Sequence, residues 1–144
     1  MPLKTYQENA IEKLRDYLKL VNQFGPEHAF ISTTKQAYKD QFFGDVPFVC
    51  VKFPTEGGKT LVGCHSFKEI LDLHLKNKMG KGIVMWFVPS EAIKSQTLRG
   101  LKDRNDLLRK SLEEYFENNI KIFSNEEALK IRKSDVENNL CIVV

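Results

Sequence analysis

Apolar side chains at Tyr6, Ala10, Ile11, Leu14, Leu18 and Val21 recur at helical spacing. That spacing predicts an amphipathic helix over roughly 6–22 with one buried face. The stretch NQFGP (22–26) ends it. Residues 27–45 are mixed in character and admit a short strand and a helix. VPFVCVKF (46–53) is almost continuously apolar and rich in Val and Phe. A strand buried on both faces has this composition, and such strands belong to parallel sheets covered by helices. A helix is expected over TLVGCHSFKEILDLHLKNK (60–78), closed by Gly80 and Gly82, and then a second buried strand, GIVMWFVP (82–89). SEAIKSQTLRGLKDR (90–104) reads as a helix that Ser90 can cap, and NDLLRKSLEEYFEN (105–118) as another with Asn105 as its cap. NIKIFS (119–124) is an expected strand, SNEEALKIRKSDVENN (124–139) holds one or two helical turns, and NLCIVV (139–144) is a buried-type strand. Strands alternating with helices in this order imply an α/β fold with a parallel sheet and right-handed crossovers.

Length and charge narrow the picture. A chain of 144 residues supplies one domain with a real core rather than two. No run reaches the roughly 18 uncharged apolar residues that a membrane span needs. The N-terminus places acids within its helical pattern, unlike a secretory signal. A cytoplasmic protein with no membrane partner is therefore expected. Cys50, Cys64 and Cys141 sit singly in apolar runs without C-x-x-C spacing and read as core thiols in a reducing compartment. The three His have no i, i+4 pairing and no Cys partners, so no metal-protein site is expected. The net charge of +3 permits a nucleic-acid partner without requiring one. Ending on CIVV, inside an apolar run, the chain is expected to be part of a longer protein.

The chemistry concentrates in FPTEGGKT (53–60). A phosphate-binding loop joins a buried strand to a helix, so that backbone N–H groups and the helix N-terminus face one anion. Gly58, Lys59 and Thr60 supply the close backbone approach, a cation for the β- and γ-phosphates, and a hydroxyl for Mg²⁺. The generic motif G-x-x-x-x-G-K-[ST] has Gly where this chain has Phe53. The bland alternative is a Gly-rich turn with a solvated Lys. Glu56 occupies a variable loop position. Turned to solvent about 8 Å from a phosphate, it costs only about 0.5 kcal/mol of repulsion. Turned inward it costs several times more. Weakened rather than abolished nucleotide binding is expected.

Three stretches occur in order: LKTYQENAI (3–11), FPTEGGKT (53–60) and VPSEAIKSQT (88–97). Together they resemble the opening third of a superfamily-two helicase motor. The details are closest to the restriction (Res) subunit of type III restriction–modification enzymes and the DEAD/DEAH-box helicase-like proteins related to it. The likeness covers nearly the whole chain except roughly 25–45. It implies the first part of a three-layer RecA-like P-loop NTPase domain with a mostly parallel sheet. ATP and Mg²⁺ are the implied cofactors. Double-stranded DNA is the implied partner, with a modification methyltransferase subunit in the type III branch. Gln7 matches the glutamine that reads the adenine edge, and Tyr6 stacks on or flanks the base. Thr55, Glu56, Gly57, Gly58, Lys59 and Thr60 match the phosphate loop, with Lys59 and Thr60 serving catalysis and Thr60 holding Mg²⁺ through the nucleotide. Pro89, Ser90, Glu91, Gln96 and Thr97 match the motif that touches the backbone of the translocated strand. Lys94, Arg99, Lys102 and Arg104 either add sequence-independent attraction or form a solvated face balanced by Asp103 and Asp106.

Glu56 and Phe53 depart from the family pattern. No apolar run ends in the Asp-Glu that hydrolysis needs, and the second RecA-like domain with its arginine finger is missing. The expected activity is nucleotide binding without hydrolysis, within a parent DNA-dependent ATPase. Two rivals stand beside it. One is a small P-loop phosphotransferase with LKDRNDLLRK (101–110) as its lid. The other is an interaction module with a decayed site, which Glu56 favours.

Overall fold

The computed structural model describes residues 3–39, 46–77 and 79–144. It is an α/β chain that falls into two compact units, Met1–Lys76 and Asn77–Val144. Among the described residues no helix is long and apolar enough to cross a membrane.

The first unit is helical. Helix α1 (Thr5–Phe24) buries Ile11, Leu18 and Val21 as the spacing predicts, but it also buries Gln7 and Tyr17 and leaves Tyr6 exposed. Gly25 ends it at φ 83°, its N–H returning to the Val21 carbonyl. Pro26 then opens α2 (Pro26–Thr34), where its missing N–H costs nothing. The part of the expected strand-and-helix region at 40–45 lies outside the described residues. Helix α3 (Lys59–Glu69) runs into one wide turn with π-type bonding, Ile70–His74. Tyr17, Leu18, Val21 and Ala29 form the core of this unit, with Leu14, Phe30, Val49, Ile70 and Leu73 packed against them.

The expected strand at 46–53 is absent. Val46, Phe48 and Val51 are about half exposed, and Cys50 is an exposed thiol rather than a core one. Among the described residues the segment pairs with no strand. Its backbone is held instead by the Tyr38 hydroxyl, which accepts from the Phe48 N–H at 3.2 Å and donates to the Val46 carbonyl at 3.4 Å. Val49 packs against the helical core. An apolar run is a strand only where a neighbour pairs with its N–H and C=O groups.

The second unit carries the sheet. Strands β1 (Gly82–Met85), β2 (Ile120–Phe123) and β3 (Leu140–Val143) pair in parallel in the order β1-β3-β2. The register aligns Gly82 with Leu140 and Ile120 with Leu140. Central β3 has Leu140, Cys141 and Ile142 fully buried, so NLCIVV reads correctly as a strand covered on both faces. The expectation of the same for 82–89 fails. Strand β1 stops at Met85, and Ile83, Met85 and Phe87 are exposed on alternate positions. It is an edge strand with one uncovered face.

Between β1 and β2 lie α4 (Glu91–Lys102) and α5 (Leu107–Phe116), which bury Leu101 and Leu112 completely. Ser90 caps α4 as expected, accepting from the Ile93 N–H at 3.4 Å. Helix α5 is capped by Asp106, not Asn105: the Asp106 carboxylate accepts from the Leu108 N–H at 2.8 Å. Replacing Asp106 with alanine is expected to lower unfolding stability by about 1 kcal/mol. Asn105→Ala should stay within about 0.5 kcal/mol of the parent. Equal losses in urea denaturation would show that the cap is not Asp106. A single turn (Ala128–Lys130) and α6 (Lys133–Asn138) complete the chain before β3.

Candidate functional site

Residues 54–58 make a tight turn into α3. The Gly57 N–H donates to the Pro54 carbonyl at 3.0 Å. Thr55 and Glu56 form the tip, and Glu56 adopts φ 62°, a left-handed conformation that a side chain disfavours. The position therefore prefers glycine on backbone grounds, separately from any charge effect. Gly57 is confined as well: a Cβ there would lie 2.9 Å from the Pro54 carbonyl oxygen. Gly58, at φ 72°, is the N-cap of α3, whose first bond runs from the Val62 N–H to the Gly58 carbonyl at 3.1 Å. The first N–H groups of a helix have no intrahelical acceptor, and here they follow directly on the Gly-Gly turn.

The loop is braced from α1. The Gln7 side chain, 5% exposed, donates from Nε2 to the Gly57 carbonyl at 3.0 Å. Its Oε1 accepts from the Lys4 N–H at 2.9 Å. Tyr6 donates from its hydroxyl to the same Gly57 carbonyl at 3.2 Å, with its ring centroid 6.2 Å from that of Phe53. Phe53, which departs from the glycine of the generic motif, thus has an aromatic neighbour. With 5% exposure and its amide engaged at both Oε1 and Nε2, Gln7 acts here as a brace for the turn. A glutamine early in an amphipathic helix ordinarily reads as solvated, and nothing local in the sequence distinguishes this one.

Lys59 is exposed, and its ammonium donates to the Pro54 carbonyl at 2.9 Å, folded back across the turn. Thr60 is half-buried on the first turn of α3. A phosphate at the helix N-terminus would draw Lys59 off a neutral carbonyl onto a charged oxygen, a stronger hydrogen bond. The side-chain space at Gly57 and Gly58 is taken by the Pro54 carbonyl and by Gln7, and no strand precedes the turn, so Lys59, Thr60 and the first N–H groups of α3 are the groups that could meet a phosphate here.

The other candidate motif lies in the second unit. Pro89, Ser90, Glu91 and Gln96 are exposed at the start of α4. Thr97 is only 4% exposed, so it packs inward and does not present a hydroxyl to a ligand. The basic residues of α4 are partly engaged. Lys94 bonds Glu126 at 2.9 Å and Glu91 at 3.3 Å, and Lys102 bonds Glu127 at 3.1 Å. The Ser124 hydroxyl and the Lys94 ammonium hold the Glu126 carboxyl down at about 2. These pairs weigh toward the solvated-face reading of Lys94 and Lys102. In the turn between α4 and α5, Asp103 accepts from the Asn105 N–H at 2.9 Å. Arg109 is 7% exposed and paired with Glu113 at 2.7 Å, so residues 101–110 are tied into helix structure rather than free as a lid.

Sequence reasoning missed the pair that ties α1 to α3. Arg15 donates to both oxygens of the buried Glu69, from Nε at 3.0 Å and from Nη2 at 2.7 Å. Partners 54 positions apart leave no periodic signal. Comparison with protein-family models, with curated proteins and with solved structures finds no match to this chain.

Proposed function

We propose that residues 53–60 bind the phosphates of ATP with Mg²⁺, with Lys59 on the β- and γ-phosphates and Thr60 on the metal. The wider reading is the first part of a RecA-like P-loop NTPase domain in an ATP-dependent DNA helicase or translocase, of the kind found in type III restriction subunits. The observation that carries it is the brace between Gln7 and the Gly57 carbonyl, which joins an N-terminal Tyr-Gln pair to a Gly-Gly-Lys-Thr turn 50 residues away. In this reading the amide that would read a nucleobase lies next to the turn that would hold the phosphates. Exposed Ser90 and Gln96, at the start of α4, are the residues proposed to touch DNA backbone. None of these residues is the Asp-Glu pair that hydrolysis needs, so binding without turnover is the expected behaviour.

A second reading, a decayed interaction module, is favoured by one observation: the left-handed backbone at Glu56. Calorimetric titration with Mg·ADP separates the two. Lys59→Ala should weaken binding at least about tenfold, the loss of one charge-assisted hydrogen bond. Glu56→Gly should tighten it about two- to threefold by removing the carboxylate's repulsion, while the relief of left-handed strain, present without ligand as well, should raise stability by about 1 kcal/mol instead. No binding by the parent or by Glu56→Gly would sink the nucleotide reading.

A further inference from the structure

The outer edge of β1 is open. On its inner side, Gly82 and Trp86 donate to the Asn139 and Val143 carbonyls at 3.1 and 2.8 Å, so the ladder to β3 runs on past Met85. Backbone groups alternate along a strand. The N–H and C=O of Ile83, Met85 and Phe87 therefore point away from β3, where no described residue bonds them. The side chains of the same three residues are 53%, 65% and 84% exposed. Edge strands are ordinarily guarded by a charge or a proline within the strand. The sheet's other edge has such a guard: β2 carries Lys121, bonded to Asp135 at 2.6 Å. From Gly82 to Val88 there is neither.

We propose that β1 pairs with β1 of a second copy of this chain, antiparallel about a two-fold axis through Met85. Ile83 then faces Phe87 of the partner subunit, and Met85 faces the partner's Met85. Each open N–H meets an open C=O, and the exposed side chains join into one apolar row across both copies. The flanking charges set the direction. Lys81 and Glu91 bound the uncharged run at its two ends. Antiparallel pairing brings Lys81 toward the partner's Glu91, and does so twice, whereas parallel pairing would set Lys81 against the partner's Lys81. Glu91 bonds Lys94 at 3.3 Å, yet its side chain remains 77% exposed. The ladder is limited at both ends: Pro89 has no N–H, and the Lys81 carbonyl already accepts from Asn77 Nδ2. A self-complementary contact of this kind closes at two copies. Three side chains and one strand edge make a patch smaller than the roughly 800 Å² per partner of a standard interface, so the dimer is weak, with a Kd on the order of 50 µM.

The test is sedimentation velocity on the full chain from about 5 to 500 µM, a range that brackets the expected Kd. A monomer should become a dimer across it and grow no further. Met85→Lys sets two ammonium groups against each other at the axis and should keep the chain monomeric throughout. Its melting point should match the parent's, because Met85 is exposed. Lys81→Glu should weaken the dimer about fivefold, and adding Glu91→Lys should restore it. A chain that stays monomeric at 500 µM would overturn the proposal and leave the edge to a strand of another protein. So would a dimer that survives Met85→Lys, growth beyond two copies, indifference to Lys81→Glu, or a charge swap that restores nothing.

Discussion

Gly58→Ala is expected to destabilise the first unit by about 2–4 kcal/mol. Two costs add. The backbone at Gly58 sits at φ 72°, where a Cβ is disfavoured by about 1–2 kcal/mol. The new methyl group would also overlap Gln7 Nε2. The far end of a glutamine normally swings aside at little cost. This one is held at both ends, by the Lys4 N–H and the Gly57 carbonyl, so moving it forfeits hydrogen bonds worth about 1 kcal/mol each. A double-mutant cycle with Gln7→Ala isolates the second cost. In the Gln7→Ala background, Gly58→Ala should cost only the backbone part, about 1–2 kcal/mol. Strict additivity in urea denaturation would show that Gln7 does not brace the turn.

That brace marks where sequence reading succeeds and where it stops. The periodicity of α1, the Ser90 cap of α4 and the apolar run of β3 are local signals, and each produces its element. VPFVCVKF carries the same signal as NLCIVV and forms no strand. The difference is whether a neighbouring strand supplies the ladder, a long-range fact that composition does not encode. Strand β3 has a partner on each side, while residues 46–53 have Tyr38. Asn105 and Asp106 are both good caps by type, and only the backbone path decides between them. At the loop, the sequence shows that Glu56 is unusual but not that its φ is positive. The motif points to Gln7 and Tyr6, yet their contact with Gly57 is a property of the folded chain. Thr97 fails in the opposite direction: its motif position suggests a ligand contact, and burial makes it a packing residue.

Arg15→Ala is expected to cost about 2–3 kcal/mol near neutral pH, and Glu69→Gln about 1 kcal/mol. The asymmetry follows from burial. The Arg15 side chain is 42% exposed and regains water when its partner is neutralised, whereas the Glu69 side chain is 12% exposed and loses both its donors when Arg15 is removed. These figures sit below those of a fully buried pair because solvent reaches the arginine. The pH dependence should reverse between the two proteins. In the parent, the hydrogen bonds from Arg15 hold the Glu69 carboxyl below its usual range, against the opposing effect of burial. A carboxyl depressed in the folded state contributes stability above its unfolded pKa and loses it as pH falls through the folded value. The parent should therefore weaken at this site on acidification below about pH 4.3. In Arg15→Ala burial is the largest remaining influence, opposed more weakly by Lys68 and Lys19, and it favours the protonated acid, so the same acidification should stabilise that variant at this position. The stability difference between parent and Arg15→Ala is expected to shrink steadily from neutral pH toward pH 3 in urea titrations. Parallel pH profiles would show that Glu69 does not depend on Arg15 for its charge.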